Sequence, residues 1–410
     1  MNIKLHKSEL KKQSNLTITG SKSESNRLLV LQALHPELEI NNVSNSDDSV
    51  LMQKALASKE NVIDIQHAGT AMRFLTAYFA MQTNTEIVLT GSARMKERPI
   101  SILVEALQQL GANITYLENF GFPPLKIKGQ HILKDKITLK ANVSSQFISA
   151  LLLIASRLEN GLELTLDGQI TSIPYIKMTL ALLNTIGVKT TFVGQVITVK
   201  PNLEVKKQAL IVESDWSSAS YFYSAIALSK VGTEIELTSY NKNSLQGDSV
   251  LEDIYKIFGV ETTFKTTIIK LKKIAESNSS KLEINLINSP DIAQTIAVTA
   301  FGLGIECYLT GLHTLKIKET DRLVALKTEL EKLGATVIIT DKTLHLKASN
   351  QINQDIAINT YHDHRMAMAF APLALKKALI INNAEVVSKS FPTFWQDLKN
   401  IGFLTENNNN

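Results

Sequence analysis

A single cysteine, Cys307, is all the thiol chemistry that 410 residues offer, which excludes a disulfide framework and a CxxC metal site. Apolar runs are short. None approaches the ~20 residues of a membrane-spanning helix, and the opening "MNIKLHKSELKKQ" lacks the apolar core of a signal peptide. A cytoplasmic location is the expectation. Neither sign of charge dominates: 43 Lys and Arg against 39 Asp and Glu leave +4, too mild to argue for nucleic acid as a partner. The nucleotide fingerprints GxGxxG and GxxxxGK[ST] are missing too. What remains is 44% hydrophobic and 20% charged, the composition of a globular protein with ample core, and the length suits two to three domains.

What the chain does contain is repetition. Five amphipathic segments close on a glycine after an apolar pair or triple: "RPISILVEALQQLGA", "PYIKMTLALLNTIGV", "DSVLEDIYKIFGV", "DRLVALKTELEKLGA" and "PTFWQDLKNIGF". Glycine just past a helix supplies the left-handed residue that ends it. A sixth segment, "SDDSVLMQKALASKE", lacks that glycine. Each follows a more apolar stretch rich in small residues, such as "SSQFISALLLIA" or "DIAQTIAVTAFGLG", the pattern of a helix buried all round. Short β-branched runs and hairpin-like pairs lie between them. The pattern predicts a β-α-β-α-β-β unit of about 70 residues, present six times. One unit cannot bury its own helix, so three would share a core. This gives an α/β (α+β) chain of two similar domains, residues 21–212 and residues 1–20 with 213–410.

Cations gather where this scheme puts helix N-termini, which are already positive. Lys22 and Arg27 lie in "SKSESNRL", with Ser21, Ser23 and Ser25 as candidate caps. Arg73 follows "HAGT"; Arg98 opens "RPISILVEALQQL" with Pro99 at a favoured first-turn position. Lys318 and Arg322 flank the start of "DRLVALKTEL", Arg365 sits in "DHRMAMAF", and Lys389 precedes the last helix. As a set they imply bound anions that neutralise cations and helix ends together. Ser144, Ser145 and Ser172 are caps or neutral donors to the same anions. Asp291 and Glu319 either satisfy the dipole or, in a cationic cleft, act as proton acceptors or relays.

The series "GSKSESNR", "AGTAMR", "RMKERP", "SSQF", "PYI", "KIKETDRL", "DHRMAM" and "KSFP" resembles, in order and over about residues 15–403, the motifs of the 5-enolpyruvylshikimate-3-phosphate synthase family. The resemblance implies the enolpyruvyl transferase fold, an inside-out α/β barrel arrangement. It also implies transfer of the enolpyruvyl group of phosphoenolpyruvate to the 5-hydroxyl of shikimate 3-phosphate. Carried over by motif, Lys22, Gly69, Arg98, Gln146, Arg322, Arg365 and Lys389 would hold phosphoenolpyruvate. Lys22, Ser23, Arg27, Ser144, Ser145, Gln146, Ser172, Tyr175, Asp291 and Lys318 would hold shikimate 3-phosphate. Asp291 would take the hydroxyl proton, and Glu319, with Lys22, would protonate the methylene carbon. No cofactor or metal is implied; the partners are these two small molecules, not nucleic acid or membrane, and a monomer is expected. His67 and Phe74 depart from the family's usual asparagine and proline beside the Gly69–Thr70 turn.

Two rivals remain. The related transferase acting on UDP-N-acetylglucosamine carries a reactive cysteine on a glycine-rich loop, whereas Cys307 lies in the strand-like "GIECYLTG" and reads as a buried small residue. A non-catalytic polyanion-binding repeat protein would keep the cations but has no use for Asp291 and Glu319.

Overall fold

The computed structural model describes residues 1–141 and 144–408. They form two compact units, Gly20–Val212 and Met1–Thr19 together with Glu213–Asn410, below the inserted and the split unit. The chain changes unit at Gly20 and again at Val212. At the first change a side chain could not be accommodated: a Cβ on Gly20 would fall 1.9 Å from the carbonyl oxygen of Asn42.

Among the described residues the strands form six separate sheets, none closed into a barrel. Five share one plan. Val62–Asp64 runs parallel to Glu86–Thr90, which is antiparallel to Leu125–Lys128, itself antiparallel to Asn113–Tyr116. The register follows the sequence alternation. Ile87 faces Ile127 and Leu89 faces Leu125, while Glu86 is opposite Lys128 and Val88 opposite Lys126. A one-residue slip would turn those apolar pairs out to water.

The sixth sheet departs from the expected six full copies. It has two strands only, Leu38–Asn41 parallel to Gln208–Ile211. The reason is local. The helix Asp47–Ala57 ends at Ser58 in extended backbone, without the left-handed glycine that starts a hairpin elsewhere, and the chain runs directly into Val62–Asp64. The plan is also completed out of order in the split unit. Gln13–Leu16 pairs parallel with Glu234–Thr238, and Asn2–Leu5 lies between Leu379–Ile381 and Thr405–Asn408.

The apolar stretches are the buried helices. In the inserted unit these are Lys22–Leu34, Gly69–Ala80 and Ser145–Ala155; in the split unit, Trp216–Leu228, Ala293–Leu303 and His364–Phe370. Every residue of Trp216–Leu228 is buried except Ser217. Hydroxyls inside these cores pair with one another, as where Tyr255 meets Thr299 at 2.9 Å and Thr299 donates to Ser224 at 2.8 Å, because an unpaired buried hydroxyl is costly.

All five helix-closing glycines have positive φ: Gly111, Gly187, Gly259, Gly334 and Gly402. They differ in surroundings, and this gives a test. A Cβ on Gly111 meets nothing within 4 Å, whereas one on Gly259 would lie 2.0 Å from the carbonyl oxygen of Ala275. Gly111→Ala should cost only the left-handed penalty, roughly 1–2 kcal/mol, and Gly259→Ala distinctly more. Denaturant unfolding of the two variants checks the order; equal losses would count against the contact.

Candidate active site

In the inserted unit Ser21 caps the first buried helix, accepting from the backbone of Glu24 at 3.5 Å. This puts Lys22 on the first turn, half-buried, with its Nζ 3.6 Å from the buried carboxylate of Asp48. Arg27, one turn on, is only 2% exposed. Its guanidinium donates to Thr179 at 2.8 Å, to Ser149 at 3.0 Å and to the carbonyl oxygens of Ser23 and Tyr175 at 2.7 and 3.4 Å. The rings of Phe74 and Tyr175 flank it, with centroids 5.4 and 6.0 Å away, a cation–π arrangement. Burial lowers its pKa to about 10, so it stays charged near neutrality. Phe74, one of the two departures from the family's usual residues, is therefore part of the Arg27 cage.

The "AGT" turn is where the second and third cations meet. Arg73 donates to the Gly69 carbonyl oxygen at 2.7 Å. A Cβ on Gly69 would lie 2.5 Å from Nη1 of Arg98 and 2.9 Å from Nη1 of Arg73, so glycine is required for two arginines to close on this turn. Gln146 reaches the next residue, donating to Thr70 at 3.1 Å. Ser144 caps Ser145–Ala155, accepting from the Gln146 backbone at 3.4 Å. Ser172 holds φ +53° at the head of Ile173–Thr185 and makes no capping bond with its side chain. A non-glycine residue kept left-handed is strained.

In the split unit four cations and four carboxylates converge. Arg322, 2% exposed, is the hub: Nε donates to Asp363 at 2.6 Å, Nη1 to Asp291 at 2.9 Å and Nη2 to Glu319 at 2.9 Å. Asp291 also lies 3.4 Å from Lys318 and 3.3 Å from Arg365, whose Nη1 donates to the Asp291 carbonyl oxygen at 3.1 Å. Lys389 sits 2.9 Å from the second oxygen of Glu319. Asp363 caps the helix carrying Arg365. Asp248, 4% exposed, accepts from Ser217, and Ser217 is 3.4 Å from Arg365.

The electrostatics follow from this packing. Burial raises the Asp291 pKa, but Arg365, Lys318 and Arg322 outweigh it and hold the carboxyl well below its usual range. Burial works against the charge on Arg322, but Asp363, Glu319 and Asp291 prevail and raise its pKa. Lys318 is lowered, first by burial. Asp248 moves the other way: burial, with Asp291 adding repulsion, pushes it up to about 7 against the pull of Arg365 and Ser217.

The structure thus brings Lys318, Arg322, Arg365, Lys389, Asp291 and Glu319 into one cluster. In the inserted unit it gathers Ser23, Arg27 and Tyr175 in one place, and Gly69, Arg98 and Gln146 around the Gly69–Thr70 turn. One placement needs correction. Arg98 does not open a helix: Ser101–Leu110 begins after an Ile100 cap, and Arg98 closes the preceding turn onto Met95 at 3.1 Å. The following Pro99 disfavours helical backbone at Arg98. Lys389 likewise ends a short 3₁₀ turn, Ala384–Lys389, before the last helix at Phe394. Asp48, Asp248, Asp363, Ser149 and Thr179 were not singled out from sequence.

Buried helices with small open sheets around them, the plan of both units, define an enolpyruvyl transferase fold. The enolpyruvyl transferase NikO from Streptomyces tendae matches with a TM-score of 0.73, covering 99% of this chain and 98% of that one at 13% identity. EPSP synthase from Acinetobacter baumannii matches at 0.80, covering 99% and 100% at 21% identity. Sequence goes further. The profile of EPSP synthase (3-phosphoshikimate 1-carboxyvinyltransferase) matches residues 52–398. A protein named 3-phosphoshikimate 1-carboxyvinyltransferase from Bacteroides fragilis is 45% identical over 402 residues, 95% of this chain and 96% of that one. One from Haemophilus influenzae is 37% identical over 423, with the same coverage. The chain belongs to the EPSP synthase family.

Asp248 yields a pH test. In an unfolded chain its carboxyl titrates near 3.8. Between about pH 4 and 7 the folded protein therefore holds a proton that the unfolded one has lost, and stability falls as pH rises. Asp248→Asn should remove at most about 4 kcal/mol of that fall. Denaturation midpoints across this range measure it; an unchanged slope means that the carboxyl titrates in its ordinary range.

Proposed function

We propose that this chain is a 3-phosphoshikimate 1-carboxyvinyltransferase, moving the enolpyruvyl group of phosphoenolpyruvate to the 5-hydroxyl of shikimate 3-phosphate and releasing phosphate, as a monomer in the cytoplasm. The observation that carries this reading is one guanidinium holding both proposed proton-transfer groups: Arg322 contacts Asp291 and Glu319, each at 2.9 Å.

The roles follow residue by residue. Lys22, Gly69, Arg98, Gln146, Arg322, Arg365 and Lys389 bind phosphoenolpyruvate, whose phosphate and carboxylate suit forked guanidinium donors. Lys22, Ser23, Arg27, Ser144, Ser145, Gln146, Ser172, Tyr175, Asp291 and Lys318 bind shikimate 3-phosphate. Asp291, kept ionised by three cations, accepts the proton as the hydroxyl oxygen bonds to C2 of phosphoenolpyruvate. Glu319 delivers a proton to C3, completing a tetrahedral adduct, and its contact with Lys389 supplies a route for replacing it. The adduct then returns a proton from the new methyl group, the bond from C2 to the phosphate oxygen breaks, and phosphate leaves. The fixed cations stabilise the charge that shifts between the two oxyanions.

The UDP-N-acetylglucosamine alternative is disfavoured by Cys307. It is fully buried in the strand Glu306–Thr310, and burial pushes its thiol up to about 12, the opposite of a reactive thiolate.

Phosphate release from phosphoenolpyruvate, with and without shikimate 3-phosphate, tests the assignment; release must require the second substrate, and UDP-N-acetylglucosamine must not replace it. Asp291→Asn and Glu319→Gln should each lower kcat by about 10²–10⁴. Full activity in Asp291→Asn would leave that residue a structural partner of Arg322, Lys318 and Arg365 only.

A further inference from the structure

Four residues recur letter for letter 200 positions apart, Asp48-Ser49-Val50-Leu51 and Asp248-Ser249-Val250-Leu251. Each run opens the helix that follows a unit's first buried helix. The two aspartates are 2% and 4% exposed. In both, one oxygen points to a cation of the proposed machinery. Asp48 Oδ2 lies 3.6 Å from Lys22 Nζ. Asp248 Oδ2 accepts from the Ser217 hydroxyl, whose oxygen lies 3.4 Å from Arg365 Nη2. In both, the other oxygen, Oδ1, has no hydrogen-bond partner among the described residues.

A buried carboxylate with one oxygen unpaired is a poor device for stability, because that oxygen has given up water for nothing. Helix-dipole compensation does not account for it either. Asp47, on the same turn as Asp48, is only partly buried and already supplies a negative charge, and compensation needs no full burial. Ser217 adds to the pattern as the one residue of Trp216–Leu228 that is not buried. What both aspartates share is the cation that each restrains. Lysine and arginine have long flexible stems, and a head group misplaced by about 1 Å costs about 10²-fold in rate.

We infer that Asp48 and Asp248 are matched positioning residues of the carboxyvinyl transfer, Asp48 aiming the Lys22 ammonium and Asp248, through the Ser217 hydroxyl, aiming the Arg365 guanidinium. The inference rests on the function proposed above. Neither aspartate touches substrate; each acts through its cation, so its effect falls on turnover more than on affinity.

The test is a pair of double-mutant cycles on the full-length protein, read by phosphate release. Asp48→Asn and Asp248→Asn should each lower kcat by about 10-fold or more, with smaller changes in KM, while thermal midpoints stay at or above that of the wild type. Asp48→Asn should cost nothing further in a Lys22→Gln background, and Asp248→Asn nothing further in Ser217→Ala, since each pair forms one route. Should Asp248→Asn fail to fold, Ser217→Ala alone reads that arm and must lower kcat. Additive cycles, wild-type kcat in the single variants, or activity losses that track losses in thermal midpoint would each overturn the inference. A wild-type chain that releases no phosphate would overturn the function and this inference together, whereas additive cycles in an active enzyme overturn the positioning role alone.

Discussion

A guanidinium withdrawn from water must be met by acceptors, and Arg322 is met by three carboxylates at once. Asp363 takes Nε, Asp291 takes Nη1 and Glu319 takes Nη2. Much of the split unit's chemistry depends on this junction. It binds the cap of one helix, the 3₁₀ turn Pro290–Ile292 ahead of a second and the segment before a third. The two acids assigned to proton transfer are therefore held by one planar group rather than by separate loops. Taking away one member of such a cluster leaves the others buried and uncompensated, and that penalty usually exceeds the net worth of the pair.

The inserted unit meets the same demand without carboxylates. Arg27 is surrounded by two hydroxyls, two carbonyl oxygens and two aromatic faces. Neutral acceptors satisfy its donors but leave its positive charge uncancelled, so an anionic substrate still finds net charge there. In the split unit the carboxylates nearly balance the cations.

Repetition made most of the architecture legible. Helix-closing glycines and apolar stretches located the helices, and positive φ at all five glycines follows from the same local rule. The truncated sixth sheet was foreshadowed by the one amphipathic segment without its glycine. Less legible were the partners of the cations. Sequence reading expects a bound anion to relieve them; the carboxylates of Asp48 beside Lys22 and Asp363 beside Arg322 were not read from it. Pairing of that kind depends on which helices pack together, and a carboxylate at a helix start looks the same whether it faces water or a buried lysine. Arg98 was misjudged although its signal is local: Pro99 disfavours helical backbone at the residue before it, and the helix starts only after Ile100.

The two ends of the chain share one sheet. Asn2–Leu5 pairs with Thr405–Asn408 on one edge and Leu379–Ile381 on the other. During synthesis, residues Gly20–Val212 have emerged in full while the strand Asn2–Leu5 still lacks both neighbours. The inserted unit can then mature as a self-contained body, whereas the split unit must keep an open sheet edge protected until the strand Thr405–Asn408 is made. A ribosome stalled late would hold a finished inserted unit beside an adhesive, half-built one. Vectorial synthesis therefore concentrates the danger of misassembly in the half of the protein that carries the acid cluster.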